Sequence, residues 1–370
     1  MSQAIAFADL GAQYRRLKVD IDARMAAVMA HGCFINGPEV GELETALAAY
    51  SGAAHAVSCG SGTDALTIAL LAAGVGPGDE VYVPAFTFTA TAEAVLLLGA
   101  RPVFVEAMET SYLINIDDLT RRIAASSGRS RAIIAVDLFG QAADYAALST
   151  IADAHGMLLI ADAAQSFGGA AGNGMVGTLA PVTATSFFPT KPLGCYGDGG
   201  ALLTDDSNLA ESYRSIRAHG KGDDKYDIVR VGLNSRLDTL QAAVLLAKLP
   251  VLNDEVAAHE AVATRYDAAF AGKVGLPERL PGRRSAWAQY TIRVERRDEL
   301  AASLRKKGIP SAVYYPLPMH LQSAYAQFGH GEGSLPISEF LSRHVLSLPI
   351  HAYLNDTAVE RICEGVLAAL

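Results

Sequence analysis

Between residues 55 and 204 the sequence keeps one rhythm, in which a short apolar run rich in Val, Ile and Phe alternates with a stretch at helical spacing. The runs are HAVSCG near 55, EVYVP near 80, PVFVE near 102, AIIAVDLFG near 132, MLLIAD near 157, TATSFF near 183 and GALLT near 200. A strand that is apolar throughout must be covered on both faces, and the helices between the runs supply that cover. The pattern predicts an α/β fold with a seven-stranded, mostly parallel sheet. The helices read directly: GTDALTIALLAAG ends at Gly74, ATAEAVLLLGA stops near Gly99, and SRLDTLQAAVLLAKL over 235–249 stops at Pro250. Beyond Pro250 the chain changes to longer helices with two candidate strands, YTIRVE and SAVYYPL. That change sets a domain boundary near residue 250, with a large domain over 1–250 and a smaller C-terminal α/β domain over 251–370.

Charge and composition exclude several classes of function. A formal net charge of -9 argues against nucleic acid as a partner, because phosphate binding needs a clustered positive surface. The basic stretch RRLK, Arg15 to Lys18, reads as the solvated face of an amphipathic helix. No apolar run reaches the roughly 18 residues of a membrane span, and MSQAIAFADLGAQYRRL lacks the basic-then-apolar order of an export signal. The expectation is a cytoplasmic protein with no membrane partner. Its cysteines, Cys33, Cys59, Cys195 and Cys363, are then reduced, and none has the CxxC or Cys/His spacing of a metal site.

In open parallel sheets ligands sit at the carboxyl ends of the strands, so the residues delivered there are the candidates for chemistry. The first run leads into SCGSGTDAL, where Gly60 and Gly62 make a tight turn and Ser61, Thr63 and the first N–H groups of a helix converge. That arrangement suits a phosphate, and it equally suits a plain glycine turn with a helix cap. The fifth run delivers Asp162 straight after an apolar strand, where a carboxylate needs a positive partner or donors, with Gln165 three residues on. A capping Asp would look the same. The sixth run ends at Phe187 and Phe188, and Lys191 follows Pro189 and Thr190. Burial disfavours the charged form of a lysine, and a neutral amine attacks carbonyls; a snorkelling structural lysine is the other reading. Taken together, an anion cradle, a strand-end carboxylate and a desolvated amine are what pyridoxal 5'-phosphate requires. Phe86 and Phe88, after the second run, offer an aromatic to lie on its ring.

Four segments in order, FINGPEVGELETALAAYSGAAHAVSCGSGTDAL, DAAQSFGG, TSFFPTKPLGCYGDGGA and VGLNSRLDTLQAA, resemble the DegT/DnrJ/EryC1/StrS sugar aminotransferases, fold type I enzymes that use this cofactor. The resemblance runs from FADL near the start to SLPIH near the end. It implies that Lys191 is the lysine that binds the cofactor aldehyde, that Asp162 partners the ring nitrogen, and that Gln165 contacts the ring. Gly62, Thr63 and Ser186 match the phosphate site, and Phe88 the stacking aromatic. Asn234 matches an asparagine that reaches the phosphate of the neighbouring subunit, which implies a homodimer with shared active sites. Within the family, SFFPTKPLGCYGDGGA and GLNSRLDTLQAA look most like enzymes acting on UDP-2-acetamido-2-deoxy-3-oxo-glucuronate, with L-glutamate as donor. By that analogy Arg236 meets the sugar carboxylate and Tyr314 and Tyr315 line the substrate side, although some relatives have His-Tyr at the last two positions. Dehydratases of the same fold carry histidine in place of the lysine, so Lys191 implies transamination.

Overall fold

The computed structural model describes residues 4–224 and 226–370. The main sheet contains β1 His55–Cys59, β2 Asp79–Pro84, β3 Arg101–Val105, β4 Arg129–Val136, β5 Leu158–Asp162, β6 Val182–Ser186 and β7 Gly200–Thr204. Their order is β1-β7-β6-β5-β4-β2-β3. Only β7 is antiparallel to its neighbours, so the other six strands point their carboxyl ends to one edge.

Successive residues of a strand face opposite sides, and the side chains of β4 sort accordingly. Ile134 packs in one cluster with Leu66, Ile68 and Leu70 of the helix Gly62–Ala72. Ile133 and Ala135 pack on the other face with Leu119 and Leu148. Each fully buried side chain of this size contributes about 1.5–3 kcal/mol, which is why both faces must be covered. The helix Gly62–Ala72 begins at the carboxyl end of β1, because Ser61 Oγ accepts the Asp64 N–H at 3.0 Å and satisfies one of the free donors there. Beyond its end the chain turns at Gly74, whose φ of 68° suits a residue without Cβ.

The helix after the GLNSR segment spans Thr239–Lys248, shorter at its start than the sequence pattern suggests. Ser235 supplies the reason: its Oγ accepts the Gly60 N–H at 3.0 Å and donates to Asp64 at 2.7 Å, which holds the chain extended there. Pro250 lies in a short 3-10 turn, Leu249–Val251, and the helix Leu252–Phe270 follows. Leu252 and Val256 pack with Phe187 and Leu203 of the sheet region. Further along, Val262, Tyr266 and Phe270 enter a separate apolar cluster with Trp287, Tyr290, Leu346 and Ile5. That cluster covers the antiparallel pair β8 Tyr290–Arg293 and β9 Val345–Leu348. The expected strand SAVYYPL is corrected: over 311–317 only Ala312 bridges to Ser347. Pro310, Pro316 and Pro318 remove the backbone donors that a ladder needs. Among the described residues no helix is long and apolar enough to cross a membrane, and no group of three or more His, Cys, Asp or Glu could hold a metal ion.

Candidate active site

The end of β5 places Asp162 in the interior, 7% exposed, with Oδ2 accepting from Thr91 Oγ1 at 3.2 Å and Oδ1 from the Ala164 N–H at 3.2 Å. Burial pushes its carboxyl above the ordinary range, against the opposing pull of the Ala164 N–H, Lys191 and Thr91. Lys191 sits on the loop after β6. Phe187 is fully buried and anchors that loop; its carbonyl accepts the Cys195 N–H at 2.8 Å, and the Phe188 carbonyl accepts the Lys191 N–H at 2.8 Å. Burial pulls the Lys191 amine below its ordinary range, and Asp162 pulls it back up. Nζ makes no hydrogen bond or ion pair among the described residues. The buried Lys191 amine thus lies within reach of the Asp162 charge and has no hydrogen bond that would occupy it among the described residues.

Gln165 is fixed at both ends of its amide, with Oε1 accepting the Phe139 N–H at 2.6 Å and Nε2 facing Tyr315 OH at 3.4 Å. The two phenylalanines after β2 separate. Phe86 is fully buried against Tyr112, Phe139 and Tyr315, whereas Phe88 is 53% exposed with its ring 6.0 Å from that of Tyr315. Tyr314 packs edge-on against Phe7 at 6.3 Å. It also lines, with Lys191, Gln289 and His351, a cavity of about 100 Å³ between the lysine loop and the C-terminal part of the chain.

At β1, Gly62 and Thr63 open the helix Gly62–Ala72 beside Ser186. A Cβ at Gly62 would lie 2.6 Å from Ser186 Cβ, so the turn and the end of β6 meet at a distance only glycine permits. The free N–H groups of this first turn and the Ser186 hydroxyl form a cradle of donors at a positive helix end, which fits a phosphate. Asp162 fits a protonated ring nitrogen, and the unpaired Lys191 amine fits an aldehyde. The residues present thus match the three demands of pyridoxal 5'-phosphate.

Asn234 and Arg236 do not join this group within one chain. Asn234 is exposed and forms a lone backbone bridge with Ala218. Arg236 lines a different cleft with Pro38, Glu44, Arg214 and Arg217, and its buried Nε has no partner. It makes no ion pair with Asp238 among the described residues. The sequence reading missed Thr91, Ser235 and Asp137. Asp137 carried a usable signal, since it follows AIIAV just as Asp162 follows LLIA.

A family model described as the DegT/DnrJ/EryC1/StrS aminotransferase family matches residues 15–367. The chain belongs to this family. Among curated relatives, the UDP-2-acetamido-2-deoxy-3-oxo-D-glucuronate aminotransferase of Pseudomonas aeruginosa is 47% identical over 363 residues, covering 98% of this chain and 99% of that one. The dTDP-3-amino-3,4,6-trideoxy-alpha-D-glucose transaminase of Streptomyces venezuelae is 42% identical, covering 98% and 95%. The crystal structure of a DegT DnrJ EryC1 StrS aminotransferase from Brucella abortus superposes with a TM-score of 0.96 at 49% identity, covering 98% of this chain and 99% of that one. This aminotransferase therefore matches its relatives over essentially the whole chain, the lysine loop and the GLNSR segment included.

Proposed function

We propose that this aminotransferase moves an amino group from L-glutamate to the 3-keto carbon of UDP-2-acetamido-2-deoxy-3-oxo-glucuronate, using pyridoxal 5'-phosphate, in the making of a polysaccharide sugar. The buried, unpaired Lys191 amine within reach of the Asp162 charge carries the reading. The substrate assignment is supported by the identity to the P. aeruginosa enzyme over both chains.

When bound, the cofactor supplies an aldehyde for the nitrogen and a ring that accepts electrons. Gly62, Thr63 and Ser186 would hold its phosphate, Phe88 and Gln165 would contact its ring, and the Asp162 charge would keep the ring nitrogen protonated. Lys191 would hold the aldehyde, and its Nζ, a base of lowered pKa, would be suited to move a proton between the donor carbon and the cofactor's aldehyde carbon across the nitrogen that joins them. Thr91 and the Ala164 N–H keep Asp162 oriented throughout.

Asn234 and Arg236 have no partners in this site within one chain, which supports a homodimer in which they complete the neighbour's site. The exposed Ile228, Val229 and Val231, the last 83% exposed, lie just before them and suit a buried interface. Residues 251–370 act as the second domain, with Tyr314 and Tyr315 on the substrate side. The four unpaired thiols support a reducing, cytoplasmic setting. The test is to convert the protein to its amino form with L-glutamate and add keto nucleotide sugars one at a time, following return of the visible band. Return with the 3-keto uronate ahead of neutral 3-keto and 4-keto hexoses is expected. Preference for a neutral dTDP sugar would overturn the substrate assignment.

A further inference from the structure

Asp137, at the end of β4, is fully buried, and no step above uses it. Its carboxylate collects three donors: Oδ1 accepts the Ala143 N–H at 2.7 Å and Tyr145 OH at 2.6 Å, and Oδ2 accepts Ser166 Oγ at 2.6 Å. Ser166 directly follows Gln165. Two more bonds tie the same turns together, the Asp137 N–H to the Asp162 carbonyl at 3.1 Å and the Phe139 N–H to Gln165 Oε1 at 2.6 Å. The turn between them carries Phe139 at a φ of 63°, a left-handed conformation that a non-glycine residue adopts only when its surroundings hold it.

An uncharged residue could tie two turns, so the acid needs a reason of its own. A buried carboxylate is expensive, and three donors are a large provision for keeping it charged. The groups facing it are Asp162 from β5 and Tyr145 from the helix Tyr145–His155, with Arg283 beyond Tyr145 and Lys191 beyond Asp162. We propose that Asp137 is a positioning residue: it pins the turn that presents Asp162 and Gln165, and it sets a second buried negative charge behind Asp162. Burial raises its carboxyl to about 6, with Asp162 adding to the rise, so the charge is present at neutral pH. The proposal rests on the reading that Lys191 and Asp162 hold the cofactor.

Two substitutions separate the charge from the pin. Asp137→Asn keeps the shape and can still bond Ser166, but removes the charge. Ser166→Ala keeps the charge and cuts the pin. In purified, cofactor-loaded protein, the visible band of the lysine-bound cofactor is titrated with pH, and the affinity of the cofactor-free protein for pyridoxal 5'-phosphate is measured separately. Loss of a buried negative charge destabilises nearby cations, so Asp137→Asn should lower the titration midpoint by on the order of one unit, a tenfold change. Ser166→Ala should weaken cofactor affinity about fivefold, as for one lost hydrogen bond, and leave the midpoint in place. An unchanged midpoint in Asp137→Asn overturns the charge role. Unchanged affinity in Ser166→Ala overturns the pin, and this arm stands by itself where Asp137→Asn does not fold. A parent protein with no visible band would instead overturn the cofactor reading beneath the proposal.

Discussion

Replacing Asp162 by Asn should separate the demands of catalysis from those of folding. The side chain is buried and nearly isosteric with Asn, with one N–H and one hydroxyl bonded to it. An amide can accept the Ala164 N–H through its oxygen and donate to Thr91 Oγ1 through its nitrogen, but cannot hold a proton on the ring nitrogen by charge. Breaking a buried charge pair costs about 3–5 kcal/mol, and at 1.36 kcal/mol per factor of ten this is a loss of roughly 10² to 10⁴ in the rate of the glutamate half-reaction. Stability should move the other way. The folded pKa of Asp162 lies above its ordinary value, so its charge burdens the cofactor-free fold above the folded pKa and the burden disappears below about 3.8. At neutral pH the cofactor-free Asn variant should then melt no lower than the parent. Single-turnover decay of the visible band with L-glutamate, alongside thermal melts of the cofactor-free proteins, measures both. A rate within tenfold of the parent would refute the electrostatic argument, and a large fall in Tm would move Asp162 from chemistry to architecture.

Gly62→Ala forces a methyl group to 2.6 Å from Ser186 Cβ, so overpacking of about 1–3 kcal/mol should appear as weaker binding of pyridoxal 5'-phosphate by equilibrium dialysis; unchanged affinity would remove the helix start from the phosphate site. Arg236→Ala should cost on the order of 2–5 kcal/mol in kcat/KM for the 3-keto uronate and much less for a neutral 3-keto sugar, since a carboxylate leaving water needs a bidentate donor. Equal losses on both sugars would make Arg236 structural. Mixing inactive Lys191→Ala protein with an inactive Asn234→Ala, Arg236→Ala protein should restore part of the activity, because one site in a mixed dimer regains every parent residue. No recovery despite demonstrated subunit exchange contradicts shared sites.

What the sequence revealed follows from the range over which each signal acts. The seven strands are legible because each carries a short apolar run bounded by turns, and β2 and β7 are indeed buried at every residue. Asp162 and Lys191 are legible because a charged residue directly after an apolar strand, or inside a proline and aromatic hinge, conflicts with its surroundings unless it serves chemistry. SAVYYPL misleads because its Val and Tyr residues suit a strand, while the prolines at 310, 316 and 318 control the backbone there. The start of the helix Thr239–Lys248 was set by Ser235 reaching back to Gly60 and Asp64, a contact across more than 170 residues that no local pattern encodes. The tie between Asp137 and Ser166 is hidden in the same way, since it depends on β4 lying beside β5.

The central claim is that Lys191 is the amine that holds the cofactor, and one measurement addresses it directly: reduction of the loaded protein with borohydride, proteolysis, and mapping of the modified lysine by mass spectrometry. The competing site is Lys248, the other lysine among the described residues whose amine burial depresses, to about 8. Lys248 is already engaged, with Nζ donating to the Gly194 carbonyl at 2.6 Å and lying 4.2 Å from the centre of the Tyr196 ring. Lys191 has no such partner among the described residues. The account predicts the reduced cofactor on the peptide containing Lys191 and its loss in Lys191→Ala; modification of Lys248, or an unaltered visible band in Lys191→Ala, would contradict it.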